Sequence, residues 1–185
     1  MGAVLAGGAG RRIAGDKAIV ELAGRPLVTY AVAALGMVCE DVVVVGKRDT
    51  ALPPLTGEAD VWVEPDEPRH PLAGVRHALR TAGQRNVLVL ACDMPCVPEA
   101  LLRALVDAAS GAGSVARAGG IVQPLCACYT PFALPALTHF DPTARATDVI
   151  EALGVAHVDW DDEDALLSVN APEDLLRAHV LLSRT

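Results

Sequence analysis

A glycine-rich loop that carries three cations follows the first apolar run of the chain, at residues 3–6. Gly7, Gly8 and Gly10 lack side chains where the loop must turn and where a ligand can approach bare backbone. The same loop contributes three cations, which are Arg11, Arg12 and Lys17. Consecutive backbone N–H groups beside fixed positive charge form an anion site, and a polyphosphate is a common anion of matching size. The residue types therefore predict phosphate binding directly after the first strand.

Two better-known glycine loops differ from this one. The dinucleotide-binding fingerprint needs a third glycine three residues after Gly10, where this chain has Ile13. The P-loop ends in Gly-Lys-Ser/Thr, whereas Gly15 is followed here by Asp-Lys-Ala, so no hydroxyl is available for a metal ion. The loop is thus either a phosphate site of another kind or a structural glycine turn, and the neighbouring cations favour the first interpretation.

A carboxylate stands at the end of another apolar run. Asp93 follows the run at residues 86–91 by two positions and precedes Pro95. A carboxylate at a strand end, directed at a phosphate site, is a suitable ligand for Mg²⁺. The alternative is a turn or helix cap, which an Asp-x-Pro stretch can also provide. Beside the glycine loop, we interpret Asp93 as the metal ligand.

Apolar runs and helical periodicity alternate along the chain and predict its fold class. Apolar residues make up 52% of the 185 residues and aromatic residues only 3%, which is typical of parallel strands covered on both faces. The expected strands are residues 3–6, 42–45, 61–63, 86–91, 114–117, 121–129 and 155–160, and the expected helices are about 26–36, 71–82, 98–108, 131–138, 146–153 and 171–182. This alternation predicts one α/β domain over residues 1–185, a Rossmann-like, doubly wound and mostly parallel sheet.

The composition of the chain limits the kinds of molecule that it is expected to bind. A net charge of −8 argues against nucleic acid, since a phosphate backbone favours a basic surface. No apolar run reaches the roughly 18–20 residues that span a bilayer, and arginines interrupt the apolar N-terminal stretch. We therefore expect no membrane partner and a cytoplasmic location.

Two further stretches have ordinary structural interpretations. The second basic cluster, at residues 46–48, is interpreted as a solvated loop. Asn170, followed by Glu173, predicts a capping box at the start of the last helix.

The glycine loop also resembles a known family. Residues 5–17 read Leu-Ala-Gly-Gly-x-Gly-Arg-Arg-x-x-Gly-Asp-Lys and resemble the signature loop of nucleotidyltransferases of the molybdenum-cofactor guanylyltransferase type. The resemblance implies that the loop binds the nucleotide and that Lys17 contacts its phosphates. The residues assigned to nucleotide binding on this basis are Leu5, Ala6, Gly7, Gly8, Gly10 and Lys17.

Later motifs extend the resemblance to about residue 178. Cys92-Asp-Met-Pro95 resembles the family's strand-end motif, whose aspartate binds Mg²⁺ and the nucleotide. Pro71-Leu-Ala-Gly74 resembles the loop that helps to enclose the base, and an acidic residue before it contacts the nucleoside. Spacing favours Glu64 for that contact, with Asp66 as the competing choice. The resemblance therefore adds these residues and Gly74 to the nucleotide site, beside Asp93.

The acceptor motifs are less regular. Gln123-Pro124 and the Ser-Val-Asn stretch at residues 168–170 resemble two motifs near the acceptor pocket. Three positions depart from the family pattern: His70 replaces a glycine, Ser168 replaces an asparagine and Val45 replaces a polar residue. These departures bear on base and acceptor contacts.

The implied reaction needs no protein nucleophile. An acceptor phosphate attacks the α-phosphate of a nucleoside triphosphate, and pyrophosphate leaves, so positioning and charge neutralisation are sufficient. We assign catalytic roles to Lys17, Asp93 and Arg12. The expected substrates are GTP and molybdopterin, and the expected cofactor is Mg²⁺. The expected assembly is a monomer or weak homo-oligomer, with transient contacts to enzymes that receive the cofactor.

Two alternatives accompany this interpretation. CTP can replace GTP, or another phosphorylated acceptor can replace molybdopterin, without any change in the loop residues. A non-catalytic nucleotide-binding accessory protein of the same fold is the alternative from another class.

Overall fold

The computed structural model describes residues 1–7 and 17–184. The strands in these ranges are β1 (Gly2–Leu5), β2 (Glu21–Leu22), β3 (Arg25–Pro26), β4 (Val42–Gly46), β5 (Asp60–Val63), β6 (Val87–Ala91), β7 (Gly113–Ala118), β8 (Ile121–Tyr129) and β9 (Ala156–Asp159). The α-helices in the same ranges are α1 (Leu27–Gly36), α2 (Pro71–Ala82), α3 (Glu99–Ala108), α4 (Leu134–Thr138), α5 (Ala146–Ala152) and α6 (Pro172–Leu182). Short 3₁₀ turns lie at Lys17–Ile19, Pro131–Ala133 and Glu163–Leu166.

Seven of these strands form one sheet, in the order β5-β4-β1-β6-β8-β7-β9. The four strands from β5 to β6 are parallel, β8 runs antiparallel to both of its neighbours, and β9 is parallel to β7. The predicted fold class, a mostly parallel α/β sheet, is confirmed. The pairing of β2 with β3 in a separate two-stranded hairpin was not among the predicted elements.

The direction of winding reverses beside β1. From β1 the chain continues to β4 and β5 on one side, and it then crosses to β6 on the other side. Leu5, the last residue of β1, pairs with Ala91, the last residue of β6. Such a reversal leaves a crevice outside the carboxyl ends of the central strands, where ligands of open α/β sheets bind.

Helices cover both faces of the sheet. Side chains alternate along β1, so that Val4 packs into the layer with α1 and α3, while Ala3 and Leu5 pack into the layer with α2, α4 and α5. The central strands β4 and β6 are buried at every position. Burial on both faces explains the continuous apolar runs in the sequence, because neither face of these strands is available to water.

Helix α6 packs against the β2–β3 hairpin through a smaller apolar cluster that contains Leu22, Leu27 and Ala178. Its predicted cap is wrong in detail. Asp174, rather than Glu173, accepts hydrogen bonds from the backbone N–H of Asn170 at 2.8 Å and of Ala171 at 2.9 Å. The Asn170 side chain is therefore not needed at the helix end.

The helices of the described ranges include none with the length and apolar character of a membrane span.

Candidate active site

A cleft of about 980 Å³ opens at the carboxyl ends of β1 and β6. This volume lies at the upper end of the roughly 300–1,000 Å³ usual for small-molecule sites. The ends of both strands line it, through Leu5–Gly7 and residues 91–94, as do the N-terminus of α2 and the segments at residues 123–125 and 144–147. The cleft is large enough to hold two substrates. It lies at the switch point of the sheet, where the direction of winding reverses beside β1.

A lysine bridges two polar side chains inside this cleft. The Lys17 ammonium donates to Asp93 Oδ2 at 2.5 Å and to Asn170 Oδ1 at 2.6 Å. Asn170 is oriented by a further contact, since its amide nitrogen donates to the carbonyl and the hydroxyl of Ser168, each at 3.1 Å. The Lys17 and Asp93 side chains are 17% and 14% exposed, so both remain within reach of a ligand. The arrangement sets a mobile cation against a carboxylate at one point of the cleft.

The backbone holds Asp93 in place independently of its side chain. The N–H of Cys92 donates to the carbonyl of Leu5 at 3.1 Å, which ties the end of β6 to the end of β1. The carbonyl of Asp93 accepts from the N–H of Val169 at 2.8 Å. This second bond brings residues 168–170 to the strand ends and explains how Asn170 reaches Lys17 from the far end of the sequence.

A second ion pair, Lys47 with Glu64, lies next to Gly7 at the end of β1. The Lys47 ammonium donates to the carbonyl of Pro65 at 2.8 Å and lies 3.4 Å from Glu64 Oε1. Both side chains are buried, at 7% and 6% exposure. Burial raises the pKa of the Glu64 carboxyl above its ordinary value, and Lys47 is the largest influence that opposes this rise. The interpretation of residues 46–48 as a solvated loop is therefore wrong for Lys47, whereas Arg48 is exposed.

Two glycines make room for the Glu64 carboxylate. A Cβ atom on Gly7 would lie 2.3 Å from Glu64 Oε1, and a Cβ atom on Gly74 would lie 3.5 Å from Oε2. The first distance is a severe overlap, since Cβ atoms do not approach other atoms so closely. A side chain at position 7 would therefore displace the Glu64 carboxylate from its present position.

His70 connects the N-terminus of α2 to the segment at residues 144–147, which also lines the cleft. Its Nδ1 accepts from the backbone N–H of Leu72 at 3.2 Å and so caps α2. Since Nδ1 is the acceptor, the proton is on Nε2, which donates to the carbonyl of Ala144 at 3.1 Å. The ring also lies 4.7 Å from the ring of Phe140. The residue that departs from the family's glycine therefore supplies a helix cap and a tie to the opposite wall.

Replacing His70 with alanine is expected to lower the free energy of unfolding by about 1–2 kcal/mol, because the helix cap and the contact with Ala144 are both lost. Urea denaturation checks this value. His70→Asn is the matched variant, since asparagine caps helices well and should recover about half of the loss. Equal destabilisation by alanine and asparagine would show that the cap contributes nothing.

The structure brings most of the predicted site residues together. Those that line the cleft are Leu5, Ala6, Gly7, Lys17, Glu64, Gly74 and Asp93. Of the two competing acidic residues, Glu64 lines the cleft, whereas Asp66 is exposed and does not belong to its lining. The predicted residues Gly8, Gly10 and Arg12 lie outside the described part of the chain.

Sequence reasoning missed two polar side chains of the site. Asn170 was interpreted as a helix cap within an acceptor motif, and its contact with Lys17 was not predicted. Lys47 was interpreted as solvated. A signal for Lys47 was present, because it follows β4 and Glu64 follows β5, and adjacent parallel strands bring their carboxyl ends side by side.

The donor set fits one kind of metal site. Among the described residues, no group of three or more His, Cys, Asp or Glu side chains is placed to hold a metal ion. Among the described carboxylates that line the cleft, Asp93 is the one that contacts Lys17. One carboxylate combined with phosphate oxygens of a substrate is the usual protein site for Mg²⁺. The residues therefore fit a metal ion that arrives with a nucleotide.

The thiol at the centre of the site is unsuited to nucleophilic chemistry. Burial, aided by the negative charge of Asp93, raises the pKa of Cys92 to about 12. A thiol in this state is protonated at neutral pH and is a poor nucleophile. Cys92 is therefore not assigned a role as a nucleophile in the cleft.

Fold and site together define a class: an α/β protein with a nucleotide-sized cleft at its switch point and a lysine–carboxylate pair suited to phosphate chemistry. The family described as the MobA-like NTP transferase domain matches residues 2–158. A molybdenum cofactor guanylyltransferase of Cereibacter sphaeroides is 37% identical over 189 aligned residues, which cover 99% of this chain and 97% of that protein.

Solved structures share the whole architecture. Molybdopterin-guanine dinucleotide biosynthesis protein A of Archaeoglobus fulgidus superposes with a TM-score of 0.78 at 25% identity, covering 100% of this chain and 99% of that one. The 2-C-methyl-D-erythritol 4-phosphate cytidylyltransferase of Thermus thermophilus has a TM-score of 0.68 at 23% identity, covering 99% and 98% of the two chains, and shows the fold alone.

The chain belongs to the MobA-like NTP transferase family and is a nucleotidyltransferase. Enzymes of this type use a divalent metal ion, in agreement with the single carboxylate beside Lys17.

Proposed function

We propose that this chain transfers GMP from GTP to the terminal phosphate of molybdopterin, with release of pyrophosphate and with Mg²⁺ as the metal ion. The observation that carries the proposal is the bridge of Lys17 between Asp93 and Asn170, at 2.5 and 2.6 Å, in a family whose relatives include a guanylyltransferase of nearly full-length similarity. The cleft around this bridge has room for both substrates.

In this reaction a phosphate oxygen of the acceptor forms a bond to the α-phosphorus of GTP. The bond from that phosphorus to the bridging oxygen of the β-phosphate breaks, and pyrophosphate leaves with the electron pair. Leu5–Gly7 bring bare backbone to the nucleotide, and Lys17 stabilises charge that develops on the phosphates. Asp93 would hold Mg²⁺, which neutralises the phosphate charge and aligns the reacting oxygens.

Lys17 and Asp93 form an ion pair in the cleft. Each side chain offsets the charge of the other at 2.5 Å. With a nucleotide and its metal ion bound, Lys17 would contact phosphate and Asp93 would hold the cation. Asn170 Oδ1 offers Lys17 a second partner throughout this exchange.

Nucleotide choice can be tested by thermal stability. We expect GTP with Mg²⁺, at one hundred times its Kd, to add about 2.7 kcal/mol of stability, which for a domain of this size raises Tm by about 5–10 °C. CTP, ATP and UTP at equal concentration are the controls. Pyrophosphate release on addition of molybdopterin then tests the transfer itself. A shift with CTP alone would replace the proposal by cytidylyl transfer.

The proposal extends to a monomeric or weakly associating protein in the cytoplasm that makes transient contacts with cofactor-receiving enzymes. The molecular mass in solution checks the first part. A stable dimer at micromolar concentration would contradict it.

A further inference from the structure

The buried Lys47–Glu64 pair beside Gly7 has a feature that the transfer reaction does not explain. Glu64 Oε2 is buried and has no hydrogen-bond partner among the described residues. Leaving a buried charged acceptor without a hydrogen-bond partner is unfavourable, because its lost hydration is not replaced. The same carboxylate lines the cleft, next to Leu5 and Gly7. An acceptor of this kind, held in a binding cleft, is suited to a ligand that brings hydrogen-bond donors.

Lys47 engages only one half of the carboxylate. Its ammonium is 3.4 Å from Oε1 and is held at 2.8 Å by the carbonyl of Pro65, so that it is fixed on one side of Glu64. The backbone fixes both residues as well. The N–H of Glu64 donates to the carbonyl of Gly46 at 2.9 Å, and the N–H of Lys47 donates to Thr50 Oγ1 at 2.8 Å. The direction of the second oxygen is therefore set by rigid surroundings.

The protonation state of Glu64 decides what it can recognise. An ionised carboxylate only accepts hydrogen bonds, whereas the protonated acid offers one donor and one acceptor. Guanine presents two adjacent donors, N1–H and the N2 amine, which match an acceptor-only group. Cytosine and adenine present an amine beside a ring nitrogen that accepts, and this pair matches the protonated acid.

We propose that Lys47 is a specificity-determining positioning residue, which holds Glu64 as an ionised acceptor and thereby selects guanine as the base. The inference rests on the proposed function, because it assumes that the nucleotide of that reaction binds in this cleft. It goes further by assigning base choice to a lysine that follows a neighbouring strand and acts through Glu64.

The charges around Glu64 support this assignment. Lys47 and, from α2, Arg76 favour its ionised form, while Asp66 opposes it and burial raises its pKa. On the β1 side, Leu5–Gly7 carry no charge. Lys47 is the strongest of the favourable influences. Its removal should therefore raise the pKa of Glu64 further and increase the fraction of the protonated acid.

The test compares Lys47→Met with wild type through the Kd of GTP and of CTP between pH 6 and 9, measured by calorimetry. We expect the variant to lose about tenfold in GTP affinity at pH 7, one pKa unit being a factor of ten. The loss should shrink as pH rises through the raised pKa of Glu64, because ionisation restores the acceptor. CTP affinity should stay within twofold or increase.

Three further variants separate positioning from structure. Lys47→Arg keeps the charge and should recover most of the GTP preference. The double variant with Lys47→Met and Glu64→Gln should lose no more GTP affinity than Glu64→Gln alone, because the lysine acts through the carboxylate. Arg48→Met is the matched control, since it removes an exposed cation from the same loop and should leave both affinities unchanged.

Folding is monitored in the same samples. A carboxyl whose pKa is raised in the folded state contributes stability that is fully present below pH 4.5, the ordinary pKa of the group. This contribution is lost as the pH rises through the raised pKa. Ligand-free Lys47→Met should therefore approach wild-type stability in acid and fall below it at neutral pH. A variant unfolded at pH 7 would be replaced by Lys47→Gln in the binding series.

Two results overturn the inference while leaving the transfer reaction intact. One is an equal loss of GTP and CTP affinity at every pH, which would mean that Lys47 only maintains the shape of the cleft. The other is an unchanged preference for GTP in Lys47→Met. Failure of the proposed function is distinct, since wild-type protein would then neither bind GTP nor release pyrophosphate with an acceptor present.

Discussion

Replacing Asp93 with asparagine is expected to lower kcat at least about a thousandfold, equivalent to about 4 kcal/mol of transition-state stabilisation. Asparagine has the same shape and can still accept the hydrogen bond of Lys17, so the change isolates the negative charge. Without that charge, no other carboxylate of the described residues contacts Lys17, and the proposed ligand of the divalent metal ion is lost. Pyrophosphate release under single-turnover conditions measures the effect on the chemical step.

The fold should survive this substitution. The carbonyl of Asp93, which accepts from Val169 at 2.8 Å, is unchanged, and the side chain is hydrogen-bonded to Lys17 alone among the described residues. We expect Tm to change by no more than a few degrees. Asp107→Asn removes an exposed carboxylate from α3 and serves as the matched control, with normal turnover. Activity of Asp93→Asn within tenfold of wild type would remove the metal-binding role from this residue.

The sheet was predictable because its central strands are buried on both faces. Residues 42–46 and 87–91 have no polar side chains, so their strand character is visible without any structure. The antiparallel direction of β8 was less accessible, since a strand carries no local mark of its direction. Pairing of β6 with β8 depends on registers such as Leu88 with Cys128, which are fixed by packing across the whole chain.

Site residues that directly follow a strand or its loop were predictable from the sequence. Contacts that depend on the direction of a side chain were missed. Lys17 and Asp93 lie 76 residues apart, yet each directly follows a predicted strand or its loop, and their meeting follows from the topology. Asn170 is 153 residues from Lys17. Its local sequence fits a helix cap equally well. Because Asp174 takes the capping role instead, the side-chain oxygen of Asn170 is available to Lys17.

Lys47 illustrates a different reason for error. A Gly-Lys-Arg sequence after a strand is usually solvated, and the neighbouring Arg48 conforms to that rule. Lys47 is buried because Glu64 occupies the matching position after the adjacent strand. Burial of a charge is thus decided by its partner, which the local sequence does not contain.

Replacing Lys17 with methionine is expected to lower kcat/KM about 10²- to 10³-fold, the usual loss when one donor to a developing phosphate or oxyanion charge is removed. Lys17 is one of only two lysines in a chain with 15 basic side chains, and it is held between Asp93 and Asn170. A compact ammonium with rotatable donors can leave these partners and follow the phosphates. Steady-state pyrophosphate release with GTP and an acceptor measures the change.

Lys17→Arg distinguishes this role from charge alone. A guanidinium keeps the charge but presents a planar, fixed set of donors, so we expect it to recover less than a tenth of the lost activity. Arg85→Met is the matched control, because Arg85 forms an ion pair with Asp41 of the same 2.5 Å length at the opposite end of the sheet. Such an exposed pair contributes about 0–1 kcal/mol, and its loss should leave turnover unchanged. Full activity of Lys17→Arg would mean that the site needs a positive charge and not the geometry of an ammonium group.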